Sequence, residues 1–155
     1  FSILHIDAHG DLYHELDGDP YSHACPFARI MENNLCDRLI QVGIRTLTDH
    51  QREQADKFGV EIMEMKNHSL ENLPTIKGPL YISLDLDAFD PAYAPGVSHH
   101  EPGGLTTRQV LDLFASIDQD IIGVDIVEYN PTRDHSEITA ALAAKMKREL
   151  LSKML

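Results

Sequence analysis

Apolar residues along this chain gather into short, nearly continuous runs: Phe1 to Ile6, Leu39 to Ile44, Val60 to Met65, Leu80 to Leu84 and Ile121 to Val127. Runs of Ile, Leu and Val that do not alternate with polar residues are what strands buried on both faces of a parallel sheet look like. Helical patterns lie between them, over Pro26 to Asn33, Asp49 to Phe58, Thr107 to Ile117 and Ser136 to roughly Lys153. Gly59 is placed to close the second helix as a left-handed C-cap, and Ser136 to open the last as an N-cap, although Thr139 lacks the Glu or Gln of a full capping box. The alternation of strand and helix predicts an α/β fold with helices on both faces of a mainly parallel sheet. No repeat or low-complexity linker interrupts it, so residues 1–155 are read as one domain.

Open parallel sheets bind their ligands beyond the carboxyl ends of the strands. Acidic residues concentrate there. Asp7-Ala8-His9-Gly10-Asp11 follows the first apolar run, and Asp85-Leu86-Asp87, with Asp90-Pro91 behind it, closes the fourth. Residues two apart on an extended segment point to the same side, so Asp7, His9 and Asp11 can converge with Asp85 and Asp87. Such a group resists ionising unless cations offset it, and two divalent ions would balance the charges of Asp7, Asp11, Asp85 and Asp87. The fifth run aims Asp125 or Glu128 at the same rim. For an isolated D-x-H-x-D or D-x-D, helix capping or calcium binding is the ordinary explanation. Donors at the ends of two buried strands argue against it, and His9 fits calcium poorly, because calcium takes oxygen ligands. Carboxylate oxygen with some imidazole favours manganese or a similar divalent ion over structural zinc, which prefers thiolates.

The remaining composition narrows the field. A net charge of −12 argues against nucleic acid as a partner, since phosphate binding needs clustered Lys and Arg. Cys25 and Cys36 have neither C-x-x-C spacing nor the number of a disulfide framework, which suits a reducing compartment. No apolar stretch approaches eighteen residues, so no membrane partner is expected. The chain opens at Phe1 inside an apolar run and without an initiator Met, so the N-terminal part of a larger protein is expected upstream. Cytoplasm is then the default compartment, with an organelle as the alternative if a targeting peptide lies in that part.

The residues resemble the ureohydrolases, the family of arginases and agmatinases, over nearly the whole chain. Asp7-Ala8-His9-Gly10-Asp11 resembles the family's D-A-H-x-D motif, Ser83 to Pro91 its S-x-D-x-D-x-x-D-P motif, and Asp125 to Pro131 its D-x-x-E-x-N-P segment. Tyr21 to Glu32 and the loop Pro95 to Gly104 are most similar to the plant-type arginases. The resemblance implies a three-layer α/β/α fold and two Mn(2+) per subunit, with Asp7 and Asp85 bridging, Asp11 on one metal, and His9 and Asp87 on the other. The family's remaining ligand, the His of a G-G-D-H motif on an earlier strand, has no counterpart here. Either residues upstream supply it in a protein of which this is the C-terminal portion, or the first metal is bound weakly.

The resemblance also implies that Glu128 accepts hydrogen bonds from a substrate guanidinium and that His23 shuttles a proton to the departing amine. The implied reaction is attack of a metal-bridging hydroxide on the guanidino carbon of L-arginine, giving ornithine and urea. Agmatine is the alternative, because Tyr13 stands where animal-type arginases carry an Asn that helps hold the α-carboxylate. Guanidinobutyrate, guanidine and formiminoglutamate carry less weight. A non-catalytic metal-binding module and a single-metal deacetylase are the readings from outside the family. Trimers or hexamers are common among ureohydrolases, so a homo-oligomer is expected. His99 and His100 border the site or only decorate a polar loop; His5 backs the metal shell or packs in its strand; Asp90 supports a turn, and Gly103-Gly104 accommodates a close backbone. His14, His50, His68 and His135 receive no role.

Overall fold

The computed structural model describes residues 1–67 and 73–155, so His68 lies outside the described residues. Five strands, β1 (Ser2–Ile6), β2 (Arg38–Ile44), β3 (Glu61–Glu64), β4 (Leu80–Asp85) and β5 (Ile121–Val127), form one sheet in the order β3-β2-β1-β4-β5. Every pairing is parallel. The helices are α1 (Pro26–Glu32), α2 (Asp49–Phe58), α3 (Thr107–Ala115) and α4 (Ile138–Met154).

Neighbouring residues of a strand face opposite ways, and the core divides accordingly. Leu4 and Ile6 of β1, with Ile40, Val42, Ile82 and Leu84, pack against Val110, Leu113 and Phe114 of α3 and Leu142, Met146 and Leu150 of α4. Ile3 and Leu39 turn the other way, onto Phe27 of α1 and Ala55 of α2. Helices therefore cover both faces, as the continuous apolar runs predict. The two outer strands are the exception, and none of Glu61–Glu64 in β3 is fully buried. Ile122 is 53% exposed and Val127 44%, because β5 is an outer strand of the described sheet and not one enclosed on both faces.

The helix ends show how local chemistry sets the boundaries. Thr48 and Thr106 each accept a hydrogen bond from the backbone N–H three residues on, while Gln51 and Gln109 reach back to the cap, so α2 and α3 both open with a full capping box. Gly59 closes α2 in the left-handed conformation, φ 66°. The expected Ser136 cap of α4 is not formed. Ser136 is exposed and the helix starts at Ile138; the orphan N–H groups of Thr139 and Ala140 donate instead to the carboxylate of buried Asp134, at 3.3 and 2.9 Å. A carboxylate can satisfy two donors at once, which outcompetes a single hydroxyl. Asp134→Ala is expected to lower Tm by about 2–4 °C, as loss of one helix cap does in a chain of this size, whereas Ser136→Ala leaves Tm unchanged in calorimetry.

The strand order places the ligand-binding crevice. From β1 the chain winds outward through β2 and β3, then returns to lay β4 on the opposite side of β1. The gap between β1 and β4 is a topological switch point, where the connections leave in opposite directions and open a crevice at the carboxyl ends. Asp7 follows β1 and Asp85 ends β4.

Candidate metal centre and active site

Parallel register sets β1 beside β4, with His5 opposite Ser83 and Ile6 opposite Leu84, so the residues that follow Ile6 and those that end β4 emerge together. Asp7, His9, Asp11, Asp85, Asp87, His23 and Glu128 all line one cavity of about 670 Å³. Its other wall is the open side of the sheet toward β4 and β5, where Tyr81, Ser83, Asp125 and Val127 point.

Two clusters of donor atoms lie within it. Ligand atoms of Asp7, His9 and Asp87 fall within 4.8 Å of one another, as do those of His5, Asp7 and Asp11. Asp7 belongs to both. Its Oδ1 accepts the His9 backbone N–H at 2.6 Å, and its Oδ2 lies 2.8 Å from His5 Nε2. Nδ1 of His9 is 3.1 Å from Asp87 Oδ2, while Asp87 Oδ1 accepts the N–H of Ala8 at 3.2 Å and so ties β4 to the end of β1. Asp85 stands in neither cluster; its Oδ1 accepts the Asp87 N–H at 2.7 Å and caps the short turn Leu86–Ala88. Two residues of the set, Asp11 at φ 49° and Glu128 at φ 64°, sit in the left-handed region that side chains usually avoid. Strain of this kind collects at functional sites, where the surrounding structure holds it in place.

The charges of the group respond as a crowded acidic cluster must. Burial, then the neighbouring carboxylates of Asp7 and Asp87, push Asp85 up to about 10. Burial and the Asp7 charge raise Asp11 to about 7, partly offset by His5 and His9. At Asp7 burial works against ionisation, yet His5 and His9 outweigh it and hold the carboxyl well below the usual range. Burial disfavours the His9 cation, but hydrogen bonds to Asp7 and Asp87 and their charges raise it to about 11. A cluster that draws protons onto its carboxylates and its imidazole is short of positive charge, which divalent cations supply. The donor set is hard carboxylate oxygen with one imidazole, and it fits an ion such as manganese.

Around this group the structure resolves several alternatives. Asp125 and Glu128 are both half-buried and both line the cavity, but the Asp125 carboxylate is engaged by Ser83 Oγ at 2.8 Å. Asp90 accepts from the N–H groups of Ala92, Gly103 and Gly104, the turn support expected of it. A Cβ on Gly104 would come within 2.6 Å of the Asp90 nitrogen, so this glycine does accommodate a close backbone. His99 is more than loop decoration: its ring stacks on His23, centroids 5.9 Å apart and planes at 15°, and meets His9 edge-on at 6.0 Å.

Sequence reasoning passed over Arg45. Its guanidinium donates to the carbonyls of Gly43, Asp87, Ala88, Phe89 and Glu101, at 2.7 to 3.3 Å, and so joins the end of β2 to the turn that carries Asp87 and to the loop that carries His99. The signal was a lone cation just past a buried strand, level in the sheet with two acidic strand ends.

The profile described as the Arginase family matches residues 1–152. A Medicago truncatula protein named "Arginase, mitochondrial" is 55% identical over 161 residues, spanning 98% of this chain and 47% of its own length. An "N(1)-aminopropylagmatine ureohydrolase" of Thermus thermophilus is 41% identical over 150 residues, spanning 91% of this chain and 50% of its own. The solved structure of arginase from Medicago truncatula superposes with a TM-score of 0.89 at 50% identity, covering 99% of this chain and 51% of that one. The chain thus spans about half the length of the curated relatives it matches.

Proposed function

The chain belongs to the arginase family, and from that premise we propose that it is the C-terminal portion of a catalytic domain that hydrolyses the guanidino C–N bond of L-arginine to ornithine and urea. The observation that carries this reading is the pair of donor clusters at the switch between β1 and β4, Asp7 with His9 and Asp87 and Asp7 with His5 and Asp11, with Glu128 and His23 lining the same cavity. Asp7, His9, Asp11, Asp85 and Asp87 would hold two manganese ions, which when bound supply Lewis-acid activation of water near neutral pH. Every other contribution comes from side chains of the chain itself. The Glu128 carboxylate accepts from the planar fork of guanidinium N–H groups and turns the guanidino carbon toward the acidic cluster. Its strained backbone keeps the carboxylate aimed inward. His23 donates a proton to the departing amine, and the stacked ring of His99 limits the directions in which the exposed His23 side chain can turn. The acidic cavity concentrates a cationic substrate before any of these contacts form.

A second reading has its own support. None of the described residues lining the cavity is Lys or Arg, so no cation there pairs with an α-carboxylate. Tyr13 occupies that wall, stacked on His50 at 5.8 Å. A substrate without the carboxylate, such as agmatine, suits these walls, and the Thermus relative's name carries the same chemistry. Two assays on manganese-loaded full-length protein separate the readings. Urea release from arginine, with kcat/KM for agmatine at least about tenfold lower, is the expected result, since losing one hydrogen bond to a charged carboxylate costs on that order. The reverse ratio establishes the second reading, and no urea from either substrate overturns both.

Assembly as a homo-oligomer follows the habit of the family. The Medicago truncatula relative and one from Arabidopsis thaliana are named as mitochondrial arginases, which favours an organelle over the cytoplasmic default for this protein. Among the described residues no helix is long and apolar enough to cross a membrane.

A further inference from the structure

His5 and Gln41 lie opposite each other in the β1–β2 register, 2% and 0% exposed, directly behind Asp7. Nε2 of Gln41 is 2.6 Å from the Gly10 carbonyl, which can only accept, so the amide nitrogen and not its oxygen must face that way. The second amide hydrogen then points at Nδ1 of His5, 3.0 Å away. Nδ1 must accept, so the ring proton resides on Nε2 and is donated to Asp7 Oδ2 at 2.8 Å. The opposite amide face shows what holds this arrangement in place: Gln41 Oε1 is buried without a partner, a cost that only the two bonds made by the nitrogen offset.

From this we propose that Gln41 locks His5 in the Nε2–H tautomer and that His5 is thereby a positioning residue, fixing Asp7 as a two-sided cation ligand. Both Asp7 oxygens are held by donors, Oδ2 by His5 and Oδ1 by the His9 N–H with the His9 ring nitrogen 3.4 Å away, and a carboxylate has lone pairs to spare on each oxygen where Asp7 lines the cavity. One cation can therefore bind through each oxygen. The same lock removes His5 from the ligand set, although its Nε2 lies within 4.8 Å of donor atoms on Asp7 and Asp11, because that nitrogen carries the proton. The inference rests on the reading of Asp7 as a cation ligand.

Two measurements on full-length protein test it. Long-range 15N NMR of the metal-free protein, labelled at histidine and assigned through His5→Gln, reads the tautomer without reference to any metal; Nε2–H is expected. Competition against a fluorescent chelator then gives the Mn(II) and Zn(II) affinities of variants. In Gln41→Glu the new carboxylate can only accept, so the ring proton moves from Nε2 to Nδ1 to donate to it, and the Nε2 lone pair is left against Asp7. Manganese affinity should fall about tenfold or more, the usual loss when an outer partner of a ligand is changed. Zinc should fall less, because the freed imidazole nitrogen is a ligand zinc favours. Independently of that variant, His5→Gln keeps an N–H at the Nε2 position and should stay within about threefold of wild type, while His5→Ala loses about tenfold or more. An Nδ1–H tautomer, an unchanged Mn/Zn ratio in Gln41→Glu, or equal losses in His5→Gln and His5→Ala would overturn the proposal. A wild-type protein with the Nε2–H tautomer that binds no manganese would sink the metal reading of Asp7, and with it this role, while the lock itself stands.

Discussion

Asp7→Asn in the full-length protein is expected to abolish manganese binding and urea release together, with kcat/KM falling about 10³-fold or more, since metal activation supplies several kcal/mol and each 1.4 kcal/mol is tenfold. Asparagine is the sharper choice than alanine because it preserves shape and burial. It cannot preserve the chemistry. Asp7 accepts on both oxygens, from His5 Nε2 and from the His9 N–H, and an amide offers one acceptor and one donor. Whichever way Asn is turned, an N–H confronts an N–H. The variant also removes the charge shared by the two donor clusters, so neither is left intact. Metal content by mass spectrometry, urea release and far-UV circular dichroism on the same preparation check the outcome. Retention of both metal and activity would show that the shared position of Asp7 has no bearing on the reaction.

Gly43→Ala should have the largest effect on stability, a loss of about 2–4 kcal/mol. Gly43 lies inside β2 at φ 89°, where the β2–β3 register slips between Val42 and Ile44. A Cβ there would stand 2.8 Å from the carbonyl oxygen of Asp7, a backbone atom with no freedom to swing aside. Relief requires β1 and β2 to part just where the Asp7 N–H is bonded to the Val42 carbonyl at 3.0 Å. Tm should drop by roughly 5–15 °C, and manganese affinity with it if Asp7 is the ligand proposed, because the displaced backbone carries that residue. Gly59→Ala is the control: φ is 66° but nothing lies within 4 Å of its Cβ, so only the conformational cost of about 1 kcal/mol remains. Equal losses in the two variants would mean that the contact with Asp7 is not what constrains Gly43.

Much of this arrangement was legible in the chain because its physics is local. Buried parallel strands announce themselves as unbroken apolar runs, and the acidic residues stand where those runs stop. The misses share a different origin. The N-cap expected of Ser136 is taken by Asp134 from outside the helix, while the local T-x-x-Q of Thr48 to Gln51 and Thr106 to Gln109 forms both capping boxes. Gln41 reads as one polar interruption of an apolar strand, and only the register that sets it beside His5 gives it a task. Arg45 likewise acts through carbonyls of residues more than forty positions away. The exposure of β5 could not be read from its composition, since its apolar run looks like the others while its place in the strand order differs.

The strand order also dictates a sequence of events during synthesis. β1, β2 and β3 follow one another and can pair as soon as they leave the ribosome, but the second edge of β1 waits for β4, beginning at Leu80. Pairing over that distance carries a loop-closure cost that sequential neighbours escape, so it is the slower step. Until then Asp7, His9 and Asp11 face solvent without Asp87, as an incomplete chelate. Completion of the Asp7, His9 and Asp87 cluster is therefore a late event, and tight metal capture there would report that the central strand has acquired both of its neighbours.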